Sequence, residues 1–465
     1  MAPRTFIAVF AASAVSLTTA YSSNEAFSPS IEVAVTRGPA VFNSVHDSLR
    51  KWGSMVHPNG MSFYLATIPE GVMLHHGNGR NETPTSFDWL AYEIEHAEIF
   101  ARVWTPRKPD RMRLGGDDQV PLADTAMKPV EKKHGWLHTF RTTRPLRLIY
   151  IDGMSGNKDG SGVRDTQDYL LRGVRDDGEG ERERGKSENK PPGPPGEYER
   201  VEDLCQLCAE WQLDGIVRVE NAGFEVIKCD FSTGMEQVQS LQRTDSQRPR
   251  SPGHGPRKGG PKPNYRDVGP GRTILDYSSM VSAFFFPVNL TNPDSNHTDL
   301  PRLTYTTVDE MEAIRNYLTT VLEDRLDHSL PAFTWRDVAD LIVARYGVPI
   351  LSMANSSDSE TLANSIRFLV EVFIDYSVAD EELRNYEARK RCSTFYIQTM
   401  PLNTDADKLI YAAFEVVNAE ICSALFKVWE LLGGDAKGLA SLEEPRGIIK
   451  SLIEYLSWSD LQTRE

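Results

Sequence analysis

The sequence predicts an α+β fold followed by a mainly α-helical second part, and three observations carry that reading. Between residues 40 and 242 short strand-like apolar runs alternate with amphipathic segments, whereas from Val308 onward apolar residues recur at helical spacing nearly throughout. Two stretches, about 176–198 and 243–272, are dense in Pro, Gly and charge and hold too little apolar surface to order themselves. The first reads as a disordered insert in an α+β domain spanning 40–242, and the second as a disordered linker to a helical domain at 273–465. A length of 465 residues favours two such domains over one.

Taken in order, the chain opens with Arg4, an apolar run from Phe6 to Leu17, and the small residues Thr18, Thr19 and Ala20. That is the layout of a secretory signal peptide over residues 1–20. The run is shorter than the roughly 20 residues of a spanning helix, which disfavours an N-terminal membrane anchor. No later stretch reads as long and apolar enough to span, so no stable membrane insertion is expected and the protein is placed outside the cell or in the secretory lumen. There the four Asn-x-Ser/Thr sequons at Asn81, Asn289, Asn296 and Asn355 are N-glycosylation candidates in exposed loops. A composition 40% hydrophobic and 25% charged is that of a soluble globular protein. A net charge of −15 argues against nucleic acid or an anionic membrane as the main partner.

Val41, Val45, Leu49 and Trp52 share one helical face, predicting a helix over 40–52. Met61–Ile68 and Gly71–His76 read as strands broken by the Pro69-Glu70-Gly71 turn. A short strand at Trp89–Tyr92 leads into a helix at Ile94–Val103, then a polar loop at 105–133. Trp136–Thr142 and Leu146–Asp152 are strands. The turn Gly153–Lys158 lacks the spacing of a phosphate-binding loop. A helix at 201–212 and strands at 215–219 and 224–231 complete the first domain, with the apolar run Ser282–Val288 as a strand returning to it. Helices near 308–326, 334–346, 358–377, 406–432 and 443–457, without a repeat period, suggest a bundle or cap.

Five cysteines are too few for a disulfide scaffold of this length, and the odd count leaves at least one thiol unpaired or bonded to another chain. Cys205 and Cys208 share a helical face and read as buried helix residues. A zinc site would need two further ligands, and no second CxxC or HxxxH supplies them.

The densest group of unusual residues lies around Met73-Leu74-His75-His76-Gly77, Trp89-Leu90-Ala91-Tyr92 and the helix with Ala97 and Phe100-Ala101. A strand ending in His-Gly, an aromatic strand leading into a helix, and then Asp214–Val217 and Glu225–Asp230 resemble the motifs of the His-Tyr-Glu class of ADP-ribosyltransferases over about residues 60–235. The resemblance implies an ADP-ribosyltransferase-like N-terminal domain with NAD as co-substrate and a protein acceptor. In it His76 would bind the NAD ribose, Trp89 would stack on the nicotinamide, and Glu225 would stabilise the cationic sugar as nicotinamide leaves. From Asn59 to Phe231 the chain also resembles a widespread group of uncharacterised fungal predicted secreted proteins.

Other readings of the same residues stand beside these. One of His75 and His76 faces the core, Trp89 packs in it, and Glu225 sits on the solvent face of an edge strand. His57, His96, His134 and His138 crowd one half without the ligand spacing of a metal site, and without a GxSxG elbow Ser-His-Asp hydrolysis is not expected either. Two functions follow: a transferase or NAD glycohydrolase acting through His76, Trp89 and Glu225, or a non-catalytic secreted interaction protein retaining the fold. Convergence of those three side chains on one cleft discriminates between them.

Overall fold

A computed structural model describes residues 27–101, 134–174, 196–243 and 268–462, apart from Asp159 and residues 269–270, 327, 329 and 433–441. The expected signal peptide, the loop at 105–133, and most of the insert and linker lie outside the described residues.

The chain is mixed α+β with a large sheet and a helical C-terminal part. Helices α1 (Ile31–Thr36), α2 (Gly38–His46) and α3 (Lys51–Val56) precede the sheet. The single helix expected at 40–52 is therefore two, broken at Leu49, whose backbone is left-handed at φ 55°. Tertiary packing imposes the break: Leu49 is buried and its N–H donates to the Tyr150 hydroxyl at 3.1 Å.

Strands β1 (Ser62–Ile68), β2 (Met73–Asn78), β3 (Asp88–Ala91), β4 (Gly135–Thr142), β5 (Leu146–Ile151), β6 (Gly215–Glu220), β7 (Gly223–Lys228), β8 (Met235–Arg243) and β9 (Ile274–Ser282) form one sheet in the order β8-β4-β2-β3-β7-β6-β5-β1-β9. Strands β1, β5, β6 and β7 are buried almost end to end, so both sheet faces are covered at its centre; β1 and β5 are largely apolar runs, whereas β6 and β7 also bury Arg218, Glu225 and Lys228. β5 and β6 pair in parallel. Parallel neighbours require a long crossover; here it holds a π-helical turn at Thr166–Leu171, the expected insert, and a helix at Glu197–Glu210 that begins before the expected 201.

Two strands differ from expectation. β8 (MEQVQSLQR) is polar and mostly exposed, with no apolar period to announce it; pairing with β4 orders it at one edge. β9 follows the stretch expected to divide two domains, yet pairs with β1 at the other edge. Its neighbour Ala283–Phe285, inside the run expected as a returning strand, is a 3-10 turn.

Helix α4 (Ile94–Glu98) lies between β3 and β4, and α5 is the crossover helix Glu197–Glu210. The C-terminal part comprises α6 (Val308–Arg325), α7 (Trp335–Asn355), α8 (Ser359–Val370), α9 (Glu381–Thr394), α10 (Asp405–Leu431) and α11 (Glu443–Leu456). Helices α6, α7 and α10 open with capping boxes, Thr307/Glu310, Thr334/Asp337 and Thr404/Asp407. α7 runs beyond the expected 346 and carries Pro349 within it. α8 ends at Val370 and a 3-10 turn follows, earlier than the expected 377. α9 was not expected: it is highly charged and buries only Ala388 and Cys392.

α10 corrects a further expectation, because by length and composition it could span a bilayer. It is instead the central helix, packed against α1, α2, α8, α9, α11 and β9. Buried Asp407, at its N-terminus, accepts from Ser278 Oγ at 2.8 Å and Trp335 Nε1 at 2.9 Å, tying α10 to β9 and α7. One apolar cluster extends from Ala34 through the sheet to Leu461.

The cysteines pair as Cys205–Cys229 and Cys392–Cys422, leaving Cys208 free and buried. One unpaired thiol agrees with the odd count, and burial pushes its pKa up. The expectation for Cys205 is corrected: its sulfur bonds α5 to the residue just after β7, a partnership that spacing along one helix does not reveal.

Candidate functional site

Side chains alternate across a strand, so register decides which residues can meet. The pairs Arg218–Glu225, Glu225–Ala91, Ala91–His75 and His75–Thr139 run continuously across β6, β7, β3, β2 and β4. These residues share one face. Trp89, two positions before Ala91, shares it too. His76, one position after His75, points to the opposite face, where it pairs with His138. The sheet thus separates His76 from Glu225, and the three side chains do not converge on one cleft.

Glu225 is 6% exposed and engaged by Arg218, at 2.9 Å through Nε and 2.6 Å through Nη2. It is neither on an edge strand nor solvated, since β7 lies between β3 and β6. Arg218 also donates to Glu197 at 2.5 Å and to the Gln167 side-chain oxygen Oε1 at 3.0 Å. Glu197 pairs with Arg200 at 2.8 Å, Arg200 with Asp168 at 2.7 Å, and Asp168 with Arg172 at 2.9 Å. Buried charges alternate from β7 through α5 to the π-helical turn, each meeting its opposite. Two arginines hold Glu197 down to about 2 against its own burial, whereas burial raises Glu225 despite Arg218. A carboxylate so enclosed clamps the crossover onto the sheet.

His76 is 4% exposed; its Nδ1 lies 2.7 Å from the Trp89 carbonyl oxygen and its Nε2 lies 3.0 Å from Asn78 Nδ2. Phe231 and His138 cover its ring. This is the satisfied core histidine of the pair. Half-buried Trp89 meets Phe87 and Tyr198 edge to face, so its ring belongs to an aromatic cluster under α5. Gly77 has its own packing reason: a Cβ there would run into the Ala97 carbonyl of α4. A cleft of about 710 Å³ between α5 and α6, bordered by Arg172, Trp211 and Arg315, includes none of the three residues.

The other histidines are dispersed. His96 pairs with Glu220 at 2.5 Å, His138 lies 3.0 Å from the Arg80 carbonyl oxygen, and His57 contacts Asp47 at 2.7 Å. Among the described residues no group of three or more His, Cys, Asp or Glu could hold a metal ion. The side chains of Asn81, Asn289, Asn296 and Asn355 are all exposed.

Residues 23–118 and 106–249 match the YPL277C N-terminal domain family. The matched span covers the sheet from β1 to β8 and stops before β9 and the helical part. The chain is 26% identical to the Saccharomyces cerevisiae uncharacterized protein YOR389W, over 91% of this chain and 78% of that protein. It is 33% identical to the yeast uncharacterized protein YPL277C, over 43% of this chain and 42% of that protein. These similarities support an uncharacterised fungal family. No solved structure matches the chain, and no ADP-ribosyltransferase fold is among its similarities.

The partners of Glu225 carry no signal along the chain: Arg218 sits among strand residues, and Glu197 and Arg200 lie in or beside the expected insert. Nor does any motif mark Asp152, just after β5, whose carboxylate accepts from Ser44 Oγ at 2.5 Å and the Ser62 N–H at 2.8 Å. Burial raises the Asp152 pKa to about 6, against those hydrogen bonds. The folded state then holds this proton more tightly than the unfolded chain, so the contribution to stability is full below about pH 4 and is lost as the pH rises through about 6. Asp152→Asn is expected to remove that decline. It should stabilise the protein by up to about 3 kcal/mol at pH 8 and change little at pH 4, as paired chemical denaturation at the two pH values would show.

Proposed function

We propose that this chain is a secreted, disulfide-bonded interaction protein whose sheet is a scaffold and not an NAD-consuming site. The observation that carries this reading is the register: His76 and Glu225 occupy opposite faces of one sheet, and Glu225 is enclosed by the charges that hold the crossover. An ADP-ribosyltransferase-like domain acting through His76, Trp89 and Glu225 would need all three around one nicotinamide ribose, and the sheet keeps His76 on the face opposite the other two.

Secretion is supported by the apolar N-terminal run, by two disulfides of the kind that persist in oxidising compartments, and by four exposed sequon asparagines. An interaction role is supported by the helical part, where Phe368 at 74% and Val372 at 68% exposure lie one turn apart, with Tyr376 and Val348 also open. The acidic balance fits a protein partner better than nucleic acid.

The test is nicotinamide release from NAD by the purified mature protein. Release equal to a protein-free blank, with no NAD-dependent shift in melting temperature, is expected. Release that disappears in both Glu225→Ala and His76→Ala, at unchanged melting temperature, would restore the transferase reading.

A further inference from the structure

Away from His76, Trp89 and Glu225, the loop between α2 and α3 meets the end of α11 in a second constellation. Asp47 is buried, and its carboxylate is shared between two imidazoles, His46 Nδ1 at 3.0 Å from Oδ1 and His57 Nδ1 at 2.7 Å from Oδ2. Ser459 Oγ donates to Oδ1 at 2.7 Å. These contacts hold Asp47 ionised, far below the usual carboxylate range, in spite of its burial. The other nitrogen of His57, Nε2, lies 3.5 Å from Ser457 Oγ. The His57 side chain is 32% exposed and Ser457 is partly exposed, so solvent reaches the end of the row where a substrate would react.

Carboxylate to Nδ1, then Nε2 to hydroxyl, is the arrangement that makes a serine nucleophilic. The carboxylate fixes the tautomer with Nε2 free to accept a proton, and it stabilises the imidazolium that results. A separation of 3.5 Å between base and hydroxyl is long for a hydrogen bond. Such contacts commonly tighten when substrate binds.

The backbone supplies an independent observation. Among the described residues three non-glycine residues have positive φ, namely Leu49, Gln212 and Ser457. Two of them lie in the segments that build this cluster: Leu49 follows Asp47 in the loop, and Ser457 ends α11 at φ 48°. A left-handed helix end is ordinarily given to glycine. Here a serine occupies it with its hydroxyl toward an imidazole, and Asn43 Nδ2 anchors the turn by donating to the Leu456 carbonyl at 3.0 Å. Gly53, inside α3, makes the reciprocal concession, since a Cβ there would run into the Asp47 carboxylate.

We propose that Ser457, His57 and Asp47 form a nucleophile, base and carboxylate relay that hydrolyses carboxylic esters. Ser457 Oγ attacks the ester carbonyl carbon while its proton passes to His57 Nε2. The carbon–oxygen bond to the leaving alcohol breaks, and the alcohol takes that proton. Water then adds to the acyl-serine by the same transfers, releasing the carboxylic acid and restoring the hydroxyl. Asp340 and Asp460 approach His46 Nε2 at 3.6 Å each, and their carboxylates are partly exposed. Asp340 pairs with Arg50 at 2.6 Å, and Asp460 adds negative charge to the rim. The site therefore favours uncharged or cationic esters over anionic ones.

The test uses the mature full chain, a fluorophosphonate probe and 4-nitrophenyl acetate. The probe forms a phosphorus–oxygen bond to the attacking serine as fluoride leaves. Peptide mapping is expected to place the label on Ser457, and both labelling and ester hydrolysis should fall at least about 100-fold in His57→Ala. Ser457→Gly is the decisive variant, because glycine accepts the left-handed backbone: its melting temperature should equal or exceed that of the wild type while labelling and hydrolysis disappear. No labelling of the wild type, a label on another residue, or hydrolysis unchanged in Ser457→Gly would each overturn the proposal.

Discussion

Arg218→Ala should destabilise the fold by about 3–5 kcal/mol, because it leaves buried acids without the guanidinium between them. Arg218 is 1% exposed and bonds Glu225, Glu197 and Gln167 together. After its removal Glu197 still has Arg200, whereas Glu225 loses the cation that opposes its desolvation. Glu225→Gln should therefore recover part of the loss in the Arg218→Ala background while destabilising the wild type, a coupling that a double-mutant cycle in urea would measure.

The pH dependence of this variant has a definite sign. Glu197 is held at about 2, so its contribution is present above the unfolded carboxylate range and is lost as the pH falls from about 4.5 toward 2. Glu225 is raised, so its ionisation works against folding as the pH rises through its folded value. Removing Arg218 should exaggerate the second effect, and the loss of stability should be larger at pH 7 than at pH 4. A loss below about 1 kcal/mol at pH 7 would show that the alternating charges are not coupled as described.

Loss of either disulfide should be comparable in size. Cys205–Cys229 and Cys392–Cys422 span 24 and 30 residues, loops whose closure restricts the unfolded chain by about 3–4 kcal/mol each. The paired substitutions Cys205→Ser/Cys229→Ser and Cys392→Ser/Cys422→Ser should each lower the denaturation midpoint by that free energy. The second bond joins α9, which buries little of its own, to α10. Its loss should therefore raise amide exchange in Glu381–Thr394 selectively. Uniform exchange across the chain would mean that α9 is held by packing alone.

Most of the local structure was written in the sequence. Apolar runs bounded by turn residues located β1, β2 and β4 to β7, and sustained helical spacing located α6, α10 and α11 to within a residue or two. Five cysteines required one odd thiol. These features depend on neighbours a few positions away, which periodicity reads directly.

Features set by distant partners were not legible. β8 has no apolar pattern and is a strand because β4 offers it hydrogen bonds. β9 rejoins the sheet across a stretch that composition alone reads as a boundary. The separation of His76 from Glu225 depends on register across three strands, where a shift of one residue would have put both on the same face. Asp47 and His57 are 10 positions apart, but His57 and Ser457 are 400 apart. Their meeting depends on α11 ending beside the α2–α3 loop, so no motif along the chain could announce it. Local periodicity fixes most strands and helices, because it rests on neighbours a few positions apart. The strand character of β8, the break at Leu49 and the meeting of His57 with Ser457 rest on register and packing between segments far apart in the chain.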